Sequence, residues 1–266
     1  LGNPSQENAG EVLVGTLGWT GNFRFIFEVD NKNELRIISG INPYASEYKL
    51  PANEVFRTPD FYFTYSCQGK GEASRSFHDW ARNHQVKKGG ETRMTLLNNW
   101  EATYFTFDEN KLIGLIDEAT KLGVDMFLLD DGWFANKYPR SSDRQGLGDW
   151  EETADKLPNG IGRLVEESQK KGIKFGLWIE PEMVNKDSDL YRAHPDWMLS
   201  APGRSACHGR NQFVLDFSRE EVVEYIYQML RHVLDEAPVS YIKWDMNRCM
   251  SEVYSRAGRP EEQGMV

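Results

Sequence analysis

The chain has 266 residues, 39% of them hydrophobic, enough for one large domain or for two parts of a larger assembly. Lys and Arg number 31 against 41 Asp and Glu, a formal charge of −10 without any Lys/Arg-rich stripe, so a nucleic-acid partner is not expected. No apolar run approaches the ~18 residues of a membrane span, and three cysteines (Cys67, Cys207, Cys249) without paired or metal-ligand spacing suit a reducing cytoplasm.

The chain opens at Leu1 after no initiator Met and ends at Val266 in a polar stretch that finishes no element, so it is expected to be an internal piece of a longer protein. From about Glu11 to Tyr65 the pattern is β. Phe23, Phe25, Phe27 and Val29 alternate, Asp30-Asn31-Lys32-Asn33 supplies a turn, and Leu35 and Ile37 resume the alternation. Phe61, Phe63 and Tyr65 form another period-2 run. A helix is expected from about Gly71 to Val86, and Lys87-Lys88-Gly89-Gly90 reads as a linker.

After Thr92 the pattern changes. Leu96-Leu97-Asn98-Asn99-Trp100 reads as a strand with a polar-aromatic end. The following helix is capped by Asp108, buries Leu112, Leu115, Ile116, Ala119 and Leu122, and stops at Gly123. The strand Val124–Leu129 ends in Asp130-Asp131-Gly132-Trp133. A helix from about Ile161 to Lys171 stops at Gly172, and the strand Ile173–Trp178 ends in Ile179-Glu180-Pro181-Glu182. A third helix starts with Ser218 and Glu221 at capping-box spacing and buries Val222, Val223, Ile226, Met229, Leu230 and Val233. The strand Val239–Ile242 then delivers Lys243-Trp244-Asp245.

Helix, stop, apolar strand, then acidic and aromatic residues recur three times, which implies parallel strands with crossover helices. A doubly wound nucleotide fold should carry a glycine-rich phosphate loop, and neither G-x-G-x-x-G nor G-x-x-x-x-G-K-[ST] occurs. The expected fold is therefore α/β, the first half of a (β/α)8 TIM barrel whose strand ends gather the polar residues, preceded by antiparallel β structure.

The strand-end residues are Trp100, Asp130, Asp131, Trp178, Glu180, Glu182, Lys243, Asp245 and Asn247. Neighbouring strands would converge them on one acidic, aromatic-walled mouth without a metal grammar. Carboxylates accept sugar hydroxyls, Trp faces pack on sugar rings, and a Lys keeps a neighbouring carboxylate ionised, as a glycosyl nucleophile requires. Plainer readings stay open: Asp130-Asp131 as a cap or a divalent-ion site, Glu180-Pro181-Glu182 as a rigid solvated turn, Lys243–Asp245 as a structural pair, and Trp100 and Trp178 as core.

Leu128-Leu129-Asp130-Asp131-Gly132-Trp133, Gly148-Asp149-Trp150, Leu157-Pro158-Asn159-Gly160, Gly176-Leu177-Trp178-Ile179-Glu180-Pro181-Glu182-Met183-Val184, Asp187-Ser188-Asp189-Leu190-Tyr191, His194-Pro195-Asp196-Trp197 and Tyr241-Ile242-Lys243-Trp244-Asp245-Met246-Asn247-Arg248 together resemble glycoside hydrolase family 36. The resemblance runs from roughly Trp19 to Arg248, and its ordered set is far more specific than any single piece.

That resemblance implies a retaining α-galactosidase acting on melibiose- and raffinose-type sugars, built from a β-supersandwich, a (β/α)8 barrel and a small C-terminal β domain. Residues 1–70 would be the C-terminal part of the supersandwich, 71–92 a helical linker and 93–266 the first half of the barrel. Asp245 would be the nucleophile. Asp130 and Asp131 would bind hydroxyls at the far side of galactose, Trp100 and Trp178 would line the pocket, and Arg210 would reach the sugar from a loop. Lys243 and Asn247 would support ring hydroxyls and the nucleophile, with Glu180 and Glu182 behind them. The family's acid/base is an aspartate two strands later, outside this chain, so the chain alone is expected not to turn over. No metal or organic cofactor, no nucleic acid and no membrane partner are expected. A small-molecule α-galactoside and a homo-oligomer, a tetramer in many relatives, are. Rival readings are galactosyl transfer or α-N-acetylgalactosaminidase action within the family, a non-catalytic sugar-binding relative, and a metal-dependent phosphoryl enzyme using Asp130-Asp131.

Overall fold

The computed structural model describes residues 6–43, 48–250 and 253–259; the polar end from 260 onward lies outside the described residues. The chain divides into two compact units, Leu1–Arg93 and Met94–Val266.

In the first unit, β1 (Val12–Leu17) pairs antiparallel with β4 (Phe61–Ser66), and β2 (Phe23–Val29) with β3 (Leu35–Ile41). The hairpin turns where Asp30 Oδ1 accepts the Lys32 and Glu34 amides at 2.8 and 3.0 Å, with Asn33 left-handed at φ 61°. Period-2 spacing puts Phe23, Phe25 and Phe27 on one face, and Phe25 meets Phe61 at 5.6 Å between ring centroids. Helix α1 (Lys70–Trp80) packs on β4. The expected continuation to Val86 differs: Ala81–Gln85 widens into a π turn, closed by the Val86 amide on the Ala81 carbonyl. Gly89 tucks against that turn, where a Cβ would stand 2.1 Å from the Arg82 carbonyl oxygen.

The second unit runs β5 (Leu96–Asn98), α2 (Trp100–Thr103), α3 (Glu109–Leu122), β6 (Met126–Leu129), α4 (Gly160–Lys170), β7 (Lys174–Ile179), β8 (Met183–Asn185), α5 (Asp189–Ala193), β9 (Gln212–Val214), α6 (Glu220–Glu236) and β10 (Tyr241–Trp244). Four strands form one parallel sheet in the order β5-β6-β7-β10, with α3, α4 and α6 as crossovers. Spatial order follows chain order, as in the first half of a TIM barrel. The short pair β8–β9 is antiparallel and lies within the excursion between β7 and α6.

Local chemistry explains these elements. Asp108 Oδ1 accepts the Lys111 amide at 2.8 Å and caps α3, and Gly123 ends it in the left-handed region at φ 75°. Leu112 and Ile116 of α3, Leu164 and Val165 of α4, and Val222, Ile226 and Val233 of α6 pack on Phe127, Leu129, Phe175 and Leu177 of the sheet. Every residue of β6 is buried, which is why its sequence is a continuous apolar run rather than an alternation.

Three local expectations are corrected. The capping box of the third helix does not form: Arg219, not Ser218, occupies the N-cap of α6 without a side-chain cap, and the Ser218 hydroxyl donates to buried Asp216 outside the helix. Val223 of α6 and Leu122 of α3 face outward with 43% and 72% exposure, because those helices turn Val222 and Ile226, and Leu112 and Ile116, toward the sheet. The first barrel strand ends at Asn98, whose Oδ1 takes the Trp100 amide at 2.7 Å, so Trp100 opens α2 rather than closing a strand.

Candidate active site

Side chains from the ends of all four parallel strands meet. Leaving β6, Asp130 is 4% exposed. Its Oδ2 accepts Asn98 Nδ2 from β5 and Lys243 Nζ from β10, the latter at 2.8 Å. Its Oδ1 accepts the Asp131 amide at 2.9 Å, and Asn99 Oδ1 takes the Asp130 amide at 2.7 Å. Lys243 therefore spans from β10 past β7 to β6, as a residue pointing into a barrel interior does.

Asp131 has a different partner. Arg140, 1% exposed, grips it bidentately, with Nε on Oδ1 at 2.9 Å and Nη2 on Oδ2 at 2.8 Å. Burial pushes the Asp131 carboxyl above its ordinary range, with the guanidinium pulling against it. Lys156 closes the loop from outside by donating to the Gly132 and Arg140 carbonyls at 2.7 and 2.8 Å. Burial lowers its amine to about 8.

Asp245 follows β10, placed by its amide on the Ile179 carbonyl at 2.8 Å. Its Oδ2 accepts Trp178 Nε1 at 3.0 Å and Asn247 Nδ2 at 2.8 Å, and its Oδ1 the Met246 amide at 3.1 Å. Partial burial raises this carboxyl, but the three donors and the nearby Lys243 charge outweigh it and hold the group below the usual carboxylate range. It is an ionised carboxylate with donors on both oxygens, which suits a nucleophile.

Trp178 is held in turn. Its carbonyl accepts Trp133 Nε1 at 3.0 Å, and its ring stacks on Phe134 with 4° between planes. Core and site are thus one role for this residue, because its buried indole aims its only donor at Asp245. Behind Asn247, Glu180 is fully buried; one oxygen accepts the Asn247 amide and the other Gln212 Nε2 at 3.0 Å. Burial raises the Glu180 carboxyl against the pull of those donors. Glu182 accepts Trp244 Nε1 at 2.9 Å.

Asp130, Lys243, Trp178, Asp245 and Asn247 are thus joined to partners across the strand ends, and Asp131 sits beside them. Trp100 is half-buried at the start of α2, edge-on to Tyr104 and Phe105 at 5.3 and 5.0 Å. Arg210 is exposed on a tight turn and, among the described residues, has no carboxylate within ion-pair distance. Sequence reasoning missed Asn98, Asn99, Arg140, Asn185 and Gln212. Asn98 and Asn99 stand at a strand end, so the rule that found Asp130 reaches them too. Arg140 lies in an irregular segment, and Asn185 ends the three-residue strand β8, too short to show a period.

Both acids that sequence alone could have given to a divalent ion carry a cation already, Lys243 on Asp130 and Arg140 on Asp131. Among the described residues no three His, Cys, Asp or Glu side chains are grouped to hold a metal. Among the described residues no helix is long and apolar enough to cross a membrane.

The melibiase family model matches residues 55–266, and the glycosyl hydrolase family 36 N-terminal domain matches residues 1–51. The chain is 44% identical to the α-galactosidase AgaA of Geobacillus stearothermophilus and 42% to the α-galactosidase Mel36A of Lactobacillus acidophilus, over 97% and 98% of its length. It spans 35% of the length of each. Structures of AgaA variants holding raffinose or stachyose superpose with TM-scores of 0.92, at 43% and 42% identity, covering 98% of this chain and 36% of theirs. With four sequential parallel strands, an antiparallel unit before them and these matches, the chain belongs to the melibiase family, glycosyl hydrolase family 36.

Proposed function

We propose that this chain supplies the nucleophile half of a retaining α-galactosidase. The observation that carries the reading is Asp245 itself: a carboxylate kept ionised at a barrel-strand end by Trp178 and Asn247, with the Asp130–Lys243 pair beside it. In the first step Asp245 attacks the anomeric carbon of an α-galactoside to give a β-galactosyl ester, and water then releases α-galactose. Asp130 and Asp131 accept ring hydroxyls through the lone pairs their cations leave open. Trp100 and Trp178 wall the ring, Arg210 reaches it from its turn, and Lys243 and Asn247 orient hydroxyls and nucleophile.

Retention takes a second carboxyl about 5–5.5 Å from the first. Asp130 and Asp131 each hold a cation, and Glu180 faces the Asn247 amide away from the mouth, so none is placed to donate a proton to the leaving oxygen. We assign the general acid to residues beyond this chain, with residues 1–70 ending a supersandwich, 71–92 linking and 93–266 forming half a barrel. The raffinose and stachyose bound by the AgaA variants support oligosaccharide α-galactosides as substrates. The sparse cysteines, without paired spacing in sequence, suit a reducing, cytoplasmic setting, and a tetramer follows by family analogy.

The test is hydrolysis of p-nitrophenyl α-galactoside by the enzyme that carries this chain. The first-formed sugar should be α-galactose. Asp245→Gly should lose hydrolysis, and azide should restore leaving-group release while forming β-galactosyl azide. A β-galactose first product, or an active Asp245→Gly variant, overturns the assignment, as does turnover by the 266-residue chain alone.

A further inference from the structure

A buried amide joins two parts of the site. Asn185, at the end of β8, is fully buried. Its Oδ1 accepts Arg140 Nη1 at 2.8 Å and the Leu147 amide at 2.9 Å. Its Nδ2 donates to the Asn211 carbonyl at 2.8 Å and the Asp143 carbonyl at 3.1 Å. A side-chain amide has two acceptor sites and two donor hydrogens, and all four are used. Carboxylate lacks the donors, an aliphatic chain lacks both, and Gln is one methylene too long for a close-packed site.

One side of Asn185 leads to Asp131. Arg140 places its other guanidinium nitrogens on that carboxylate, and Asn185 Oδ1 and the Gln145 carbonyl, the latter at 3.0 Å, fix the third. The other side leads to the turn that carries Arg210. Arg210 and Asn211 are both left-handed, at φ 50° and 61°, and Gly209 and Gln212 close the turn by exchanging amide–carbonyl bonds of 3.1 and 2.9 Å. A long side chain such as Arg is disfavoured in that region, so the turn needs external support. Asn185 provides it at the Asn211 carbonyl, in register with Gln212 across β8–β9.

We infer that Asn185 is a positioning residue that sets Asp131, through Arg140, and the Arg210 turn as one unit. This rests on the reading of Asp131 and Arg210 as sugar-binding groups. The brace holds two contacts to one sugar at fixed separation, so its loss weakens substrate binding more than the chemistry at Asp245.

The test uses Asn185→Asp and Arg140→Lys in the enzyme that carries this chain. Among the described residues Arg140 makes no hydrogen bond or ion pair to residues 208–214, yet without ligand both variants should speed amide hydrogen exchange there at least tenfold. Both should raise KM for p-nitrophenyl α-galactoside at least tenfold with kcat within threefold. Wild-type exchange at 208–214 in Arg140→Lys overturns the brace, and so does unchanged KM in a variant whose turn has loosened. If Asn185→Asp does not fold, Arg140→Lys decides by the same two readouts. A wild-type enzyme that hydrolyses no α-galactoside sinks the substrate reading alone, and the exchange arm still decides the brace.

Discussion

Replacing Trp178 by Phe tests how Asp245 is kept ionised. The ring is buried against Phe134 and Trp150, so Phe retains most of the packing while removing the indole N–H that Asp245 Oδ2 accepts at 3.0 Å. Asn247 Nδ2 and the Met246 amide remain. A hydrogen bond to a charged group contributes about 1.5–3 kcal/mol. Asp245 is only partly buried, so solvent screening argues for the low end. One pKa unit is about 1.4 kcal/mol, so the loss of one donor should raise the carboxyl by about one unit. The wild-type carboxyl lies below the ordinary range, and activity that needs the anion is present above its pKa and lost as pH falls through it. The acid limb of kcat/KM, which reports the free enzyme, should therefore move up by about one pH unit in Trp178→Phe while the plateau falls modestly. An unmoved acid limb with a lowered plateau would show that Trp178 acts by shape alone and would refute the electrostatic account.

Other outcomes follow from the same geometry. Arg140→Met should destabilise by about 3–5 kcal/mol near neutral pH, because it strands a buried carboxylate. Asp131 then takes up a proton with a folded pKa above its unfolded one, so the deficit in urea unfolding should shrink toward pH 4. Asp108→Ala removes the α3 cap and should cost about 1 kcal/mol, with a similar penalty for Gly123→Ala from its left-handed backbone, although no atom obstructs the added Cβ. Lys156 has a folded pKa of about 8 against 10.5 free, so the unfolded chain holds the extra proton between those values and stability should rise with pH across that window. Lys156→Met should flatten that rise in the urea midpoint; an equal slope in both proteins would show that the buried amine is not its source.

Local patterns made the fold legible where one residue decides one contact class. The 3.6-residue period placed α3, α4 and α6, the Asp108 cap and Gly123 stop follow from residue type, and the apolar run Met126–Leu129 marked β6 as a strand covered on both faces. The acids at the ends of those strands could be named as a set, because a parallel barrel presents its strand ends on one side.

What the chain alone could not decide is which partner each polar group takes, since those partners are distant in sequence. Lys243 finds Asp130 across 113 positions, and Trp178 finds Asp245 across 67, through pairing of strands whose neighbours only the folded sheet defines. The Ser218 cap also fails, because α6 starts one residue later, with Arg219 at its N-cap, and the Ser218 hydroxyl is held by Asp216. Trp100 moves from a strand end to a helix start, because Asn98 bent the chain first. Asn185 directly follows Val184, yet nothing in a sequence shows four hydrogen bonds meeting at one amide. The sequence by itself pointed to the main parallel strands and crossover helices, to the side of the sheet that carries polar residues and, through the family resemblance, to Asp245 as candidate nucleophile. Only the tertiary structure decided what holds each of these groups in place, because hydrogen-bond partners are set by proximity in the fold rather than along the chain.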